Sequence, residues 1–406
     1  MLIKNGKVLL FEENGFVKRD LRVKDGKIQE IGEGLSPEQG EELLDAEGKY
    51  VTPGLIDAHS HICVSEEGMG AIGDDCNDYS DALMPYLDTL DAINPFDLAV
   101  KSAVEAGVTA ACTCPGSDSV IGGMCSVISL TGTVAEDMLL KGKAAVKCSF
   151  GENPKNAGYG FKSRMGNAWL LRKCIEDALE YRHHKEEAEK SGSYFRTDIG
   201  MENMLPLLNR EIPLHAHVHR ADDICTAIRI AREYNLRLVL VHCTDGVSVL
   251  DYLKQFDYPV ILGPTINPRS KLECMAKRFE TAGIMSRAGI KVCLTADHDV
   301  TPIYYLPVYG AQAVKAGLDE VEGLKALTRN PAEVLGIGGR KGEIKEGKDA
   351  DLVIWSGRPF DSCTKAETVF IMGKRKRETK LLFDRDVSTG ELRPGHAFWR
   401  TEIIVS

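Results

Sequence analysis

Between residues 55 and 338, short apolar runs alternate with stretches of helical periodicity, and this alternation limits the possible folds more than any other feature of the chain. Repeated strand–helix pairs argue for a parallel sheet covered by helices. A helix is predicted to start at Asn94-Pro95 and to close at Gly107, followed by the buried strand Val108–Cys114. Strand Ile212–His219 precedes a helix over Ala221–Asn235, and strand Leu236–His242 precedes one over Val247–Phe256. Val260–Leu262 leads to a helix near Leu272–Ala288, and Ile290–Ala296 is the last clear strand, ending at Asp297. The count fits a TIM-like (β/α)8 barrel of roughly 250 residues. No Gly-x-Gly-x-x-Gly follows the first strand, which weakens a dinucleotide-binding sheet.

The two ends of the chain have a different pattern. Residues 1–54 are short strands in which Asn5-Gly6 and Asp25-Gly26 predict hairpins. Beyond Asn330-Pro331 the turn-rich Gly342–Asp351 leads to the strands Leu352–Trp355 and Thr368–Met372. Neither β piece is large enough to be stable alone. We therefore expect residues 1–54 and 339–406 to pair as a small discontinuous β-sandwich domain, with the barrel at 55–338. Glu176–Lys190 reads as a solvated helix carrying His183-His184 on its surface.

Composition excludes several classes. A formal net charge of -10, without a basic stripe beyond Lys374–Arg377, argues against nucleic acid. No window is long and apolar enough for a membrane span or a signal core. The 12 cysteines do not form a disulfide framework, because several (Cys112, Cys114, Cys148, Cys243, Cys293) sit inside apolar strands as small buried hydrophobes. No Cys-x-x-Cys occurs, which argues against a structural zinc knot. We expect a cytoplasmic protein with a small-molecule substrate, self-associating as a homo-oligomer, with neither nucleic acid nor membrane as partner.

Chemistry is expected where barrel strands end. His59 and His61, after the strand Leu55–Ala58, project from one face and can reach one cation. Lys147 lies within an apolar strand, where an ammonium is costly, and Glu152 lies just beyond it. His215, His217 and His219 alternate on one strand, His242 ends the next, and Asp297 ends the last. Any one of these has a structural explanation; five strand ends carrying ligand-type residues do not. Nitrogen and oxygen donors without thiolates suit zinc, manganese, iron or nickel in an open site.

Thr52-Pro-Gly-Leu-Ile-Asp-Ala-His59-Ser-His61, His242, Asp297, Leu327–Gly336 and Gly347–Trp355 resemble the metal-dependent amidohydrolase superfamily over nearly the whole chain. Phe150–Pro154 and His217–Ile224 are similar to the branch grouped with imidazolonepropionase and related cyclic-amide and dipeptide hydrolases. The resemblance implies one or two divalent metals at the barrel mouth. His59, His61 and Asp297 would hold the more buried one, and two later histidines the other: His242 with His217, ahead of His219 and then His215. Lys147 as a carbamate, or alternatively Glu152, would bridge them. Asp297 would accept a proton from water and return it to the leaving nitrogen. Around this centre, Arg164 or Arg220 could pair with a substrate carboxylate, unless each serves a surface salt bridge. Tyr159 and His298 are further candidates for substrate contact, and the small polar loop Gly116–Gly123 could approach substrate through its backbone.

The leading expectation is hydrolysis of a cyclic or peptide-like amide. A heterocycle deaminase of the same fold is the alternative. It is disfavoured because Val-His-Arg follows His217 and Arg-Ala-Asp follows His219, where such enzymes carry His-x-x-Glu. A metal-free binding protein on the same barrel is the third possibility.

Overall fold

The computed structural model describes residues 1–378, together with the backbone of two short strands, Phe383–Arg385 and Leu392–Pro394. The chain opens with β1 (Leu2–Leu10), β2 (Gly15–Lys24), β3 (Lys27–Gly32), β4 (Leu43–Asp45) and β5 (Tyr50–Pro53). Asp25-Gly26 forms the expected hairpin turn, with φ of 51° and 76° at its two residues. Asn5-Gly6 does not. β1 continues through it as a bulge, with the register against β2 shifting between Ile3 and Gly6. Asn5 takes the left-handed conformation (φ 58°), and the Asp20 carboxylate accepts its N–H at 2.8 Å. A side-chain acceptor on the partner strand thus stabilises the turn-like residue without reversing the chain.

The central sheet contains β6 (Leu55–Ser60), β7 (Val108–Thr113), β8 (Ile121–Ser129), β9 (Leu139–Ser149) and β10 (Leu214–Val218). It continues with β11 (Leu238–His242), β12 (Val260–Leu262) and β13 (Val292–Leu294). These eight strands lie side by side in chain order as a nearly closed barrel. The ends of the sheet meet where the His61 N–H donates to His298 O at 2.6 Å and the Ala296 N–H donates to Asp57 Oδ2 at 3.0 Å. One departure from an all-parallel barrel is clear: β8 runs antiparallel to both β7 and β9. The second βα unit is therefore replaced by a meander. Ala332, Leu335 and Ile337 pack against Ile56, Ala110, Val127 and Ala145.

Most element positions follow the sequence, with local corrections. The first barrel helix is Leu98–Glu105, capped by Asp97 through Ala99 N–H at 3.0 Å. Asn94 instead closes a turn onto the Phe96 N–H. The helix expected over Val247–Phe256 shortens to Leu250–Leu253 after a 3-10 turn, and that expected over Leu272–Ala288 to Thr281–Arg287. The charged helix spans Arg164–Ser191 and leaves His183 and His184 exposed.

β14 (Leu352–Trp355), β15 (Ala366–Ile371) and β16 (Lys374–Glu378) join β1–β5 in one eight-stranded sheet, with β14 antiparallel to β5. Hydrogen bonds join all eight of these strands into one network. Alternation along β14 explains its two faces. Leu352 and Ile354 join Val8, Leu21 and Val51, whereas Val353 and Trp355 join the barrel core. Gly107, at φ +90°, lets Trp355 and Val353 close onto the barrel. Among the described residues, no helix is long and apolar enough to cross a membrane.

Candidate metal centre

The carboxyl ends of β6, β10, β11 and β13 bring His59, His61, His217, His219, His242 and Asp297 together, all buried. His59 Nε2 and His61 Nε2 stand 3.5 and 3.6 Å from Asp297 Oδ1. Ligand atoms of His59, His242 and Asp297 lie within 4.8 Å of one another, and so do those of His217, His219 and His242. His242 belongs to both groups. The His219 and His242 rings stack at 4.7 Å, and His217 meets His242 edge-on at 4.4 Å.

Backbone and side-chain partners aim these rings. His61 Nδ1 contacts Cys114 O at 2.8 Å, and His242 Nδ1 contacts Gly263 O at 2.6 Å. A carbonyl only accepts, so both Nδ1 atoms carry the proton and both Nε2 lone pairs are free for a ligand. His219 Nδ1 pairs with Thr244 Oγ1 at 2.7 Å. His242 and Asp297 hold left-handed backbone angles, φ 67° and 55°, which non-glycine residues adopt only uncommonly. The Asp297 N–H is held by Thr295 Oγ1 at 2.8 Å. Beneath, the buried Asp57 carboxylate accepts the His59 and Ala296 N–H groups at 3.1 and 3.0 Å; burial raises its pKa to about 7 despite those bonds.

Several ligand-type atoms are buried without a hydrogen-bond partner: both nitrogens of His59, Nε2 of His217 and Oδ1 of Asp297. Burying such atoms unpaired is costly, and their convergence with the free lone pairs of His61 and His242 fits a divalent cation. Burial, followed by the neighbouring His242, pushes the pKa of His217 and His219 far down, and burial lowers that of His242 to about 3. All three are neutral ligands at neutral pH. Burial pushes the Asp297 carboxyl up, but the facing His242, His61 and His59 outweigh it and hold it well below the usual range.

The remaining candidates separate. Lys147 is fully buried and its Nζ donates to Pro115 O and Gly116 O at 3.0 and 2.9 Å. Glu152 lies apart from both histidine groups. Its carboxylate accepts the Glu273 N–H at 3.2 Å, while Glu273 Oε2 accepts the Glu152 N–H at 2.9 Å. The two residues thus cap each other's backbone. Arg164 Nε donates to both oxygens of Asp223, at 3.0 and 2.9 Å, and Arg220 pairs bidentately with Asp222 through Nε and Nη2, at 2.9 Å to each oxygen. Arg164 Nη2 is buried without a hydrogen-bond partner. Tyr159 OH pairs with Ser119 Oγ at 2.9 Å and donates to Asp78 O at 3.0 Å. His298 accepts the Ile303 N–H at Nδ1, 3.3 Å, and keeps a buried, unpartnered Nε2. His215, third in the order expected for the fifth strand, joins neither histidine group.

Glu273 was not anticipated. Its buried carboxylate stands 3.9 Å from His219 Nε2 and 2.8 Å from Lys271 Nζ. It lies in a 3-10 turn, Leu272–Cys274, without periodicity or motif to distinguish it in the sequence.

Comparison with known proteins settles the family. A crystal structure of an amidohydrolase from Thermotoga maritima superimposes with a TM-score of 0.90 and 39% identity, covering 93% of this chain and 100% of that one. This chain belongs to the amidohydrolase family. The family profile matches residues 183–383. Among curated relatives, amidohydrolase tasK of Hapsidospora irregularis is 24% identical across 92% of this chain, which spans only 41% of that longer protein. Dihydroorotase of Trichlorobacter lovleyi is 23% identical, over 87% of this chain and 89% of its own length.

Proposed function

We propose that this amidohydrolase is a metal-dependent hydrolase of a carbon–nitrogen bond in a cyclic amide or a closely related peptide-like amide. The observation that carries the proposal is the buried donor set at His59, His61, His217, His242 and Asp297, whose unpartnered atoms converge at the barrel mouth. The name of the dihydroorotase relative supports a cyclic amide as substrate. His59, His61 and Asp297 would hold one cation and His217, His219 and His242 a second, with zinc the first choice and manganese, iron or nickel also suited. A divalent cation bound there supplies a lowered pKa for water and polarisation of the carbonyl under attack.

The protein's own groups supply the rest. Asp297, held ionised by its histidine neighbours, accepts the proton of the attacking water and passes it to the departing nitrogen. His61 and His242 keep fixed tautomers through Cys114 O and Gly263 O, so no ring has to reorient during turnover. Lys147 stays our candidate for a carbamate ligand, because its side chain is buried beside the histidine strand, in register with His215. We read the eight central strands as a TIM-like barrel with one reversed strand. The sheet drawn from both chain ends is read as a small discontinuous domain of residues 1–54 and 339–406, of which those after 378 lie mostly outside the described residues. The cysteines, all free, support a reducing, cytoplasmic setting.

A hydrolysis screen of metal-loaded protein against hydantoins, cyclic imides, imidazolones, dipeptides and N-acyl amino acids tests the proposal. At least one cyclic amide should open to a new carboxylate without ammonia release, and His59→Ala with His61→Ala should abolish turnover and most of the metal bound there. Ammonia released from exocyclic amines of heterocycles, with no cyclic amide opened, would overturn it in favour of deamination.

A further inference from the structure

Cys112, Cys114 and Cys125 meet His215 inside the barrel, on the reversed-strand side. Their sulfur and nitrogen ligand atoms all lie within 4.8 Å of one another, and all four residues are completely buried. Cys112 Sγ and Cys114 Sγ are 3.6 Å apart. Four ligands bound tetrahedrally at about 2.3 Å sit about 3.8 Å from each other, so small movements complete the arrangement. Both ring nitrogens of His215 are buried without a hydrogen-bond partner. An imidazole that satisfies neither nitrogen is poorly placed as mere core, whereas one nitrogen ligating a cation would account for its position.

Disulfide bonding explains the cluster less well. Cys112 and Cys114, two apart at the end of β7, have Cα atoms about 6.7 Å apart, at the limit a disulfide spans; all three cysteines are free thiols, and three thiols leave one unpaired in any disulfide pairing. The donor set also differs in kind from the mouth of the barrel. Thiolates with one imidazole are the closed, structural type of zinc site, whereas histidines with a carboxylate are the open type.

We propose that Cys112, Cys114, Cys125 and His215 form a second, structural metal site for zinc or a similar thiophilic divalent cation. The site ties together β7, β8 and β10, and thus pins the strand that runs against the others. It also supports the catalytic centre indirectly, because Cys114 O receives the His61 ring and the Cys114 N–H donates to Ser60 O at 2.8 Å. The four residues act as positioning residues and do not reach the substrate. The proposal does not depend on the reaction assigned to the outer centre.

Cobalt(II) substitution tests it on the intact wild-type chain. Thiolate ligation gives an intense sulfur-to-cobalt charge-transfer band in the near ultraviolet, which histidine and carboxylate ligands do not produce. The band is expected in wild type and in His59→Ala with His61→Ala. It should disappear in Cys112→Ser with Cys125→Ser, along with one equivalent of metal that resists chelator in the wild type. Wild-type protein that takes up cobalt but shows no thiolate band overturns the proposal, even if the double cysteine variant fails to fold. So does a folded cysteine variant that keeps the chelator-resistant equivalent.

Discussion

At the scale of single residues, three histidines alternate on one strand face; the sequence ranks His217 ahead of His219 and then His215, and their neighbours in the structure distinguish them. His217 and His219 face His242 from the next strand, whereas His215, lying deeper, faces thiols from β7 and β8. That second environment is set by two strands far away in sequence, one of them reversed. Asp297 was legible as the carboxylate at a strand end; its left-handed backbone and its histidine neighbours were not. Its role gives a direct prediction. Asp297→Asn keeps the shape and one ligand oxygen but cannot carry a proton, so kcat should fall by on the order of 10²-fold or more while circular dichroism is unchanged. A variant with near-wild-type kcat would remove Asp297 as the proton carrier. Glu152 and Glu273 teach the complementary lesson. Both are acidic residues in short helical turns near the mouth, but the two carboxylates cap each other's backbone, and of the two Glu273 stands 3.9 Å from a histidine nitrogen.

At the scale of elements, helices and parallel strands were legible because amphipathic and apolar runs of the right length alternate. β8 was not. Ile121–Ser129 is buried along its whole length, so it shows no alternation, and Gly122-Gly123 suggests a loop. The glycines serve a different purpose. Gly123 has φ +125°, and a Cβ there would come within 2.6 Å of Leu87 O. Its backbone must pass directly beneath that segment, an approach no side chain permits. Gly123→Ala should therefore cost at least about 1 kcal/mol of stability and lower Tm. Gly142→Ala, at an exposed position of β9 with no neighbour closer than 3.7 Å, should stay within about 0.5 kcal/mol of wild type. Equal effects at both positions, in urea unfolding, would mean that the close approach to Leu87 is unimportant. Asn5-Gly6 shows the same limit from the other side. It is a strong turn signal, but the chain continues because both halves of β1 pair with the same strand and Asp20 satisfies the bulge.

At the scale of the whole molecule, the pairing of the two chain ends was readable from their composition, but not what fastens them. Trp355 Nε1 reaches Thr52 Oγ1 at 2.8 Å across β14 and β5. The tail segment Gly347–Asp351 is ordered by charge. Lys341 Nζ, buried, contacts Asp351 and lies 3.6 Å from Asp349, while Asp351 Oδ1 accepts the Met372 N–H at 2.9 Å. Arg340 and Lys27 add to Asp349 from the surface, at 2.9 and 3.6 Å, but Asp351 has Lys341 as its cationic partner. Removing Lys341 would leave a buried carboxylate with no countercharge, a change that typically costs about 3–5 kcal/mol. Lys341→Met should destabilise the protein by that order in urea unfolding. Asp351→Asn in the same background should recover much of the loss, because the amide oxygen can still accept the Met372 N–H while the unpaired charge is gone. The sign of the coupling is the decisive quantity. If the double variant is less stable than Lys341→Met alone, the carboxylate is holding the tail through its hydrogen bonds rather than through its pairing with Lys341.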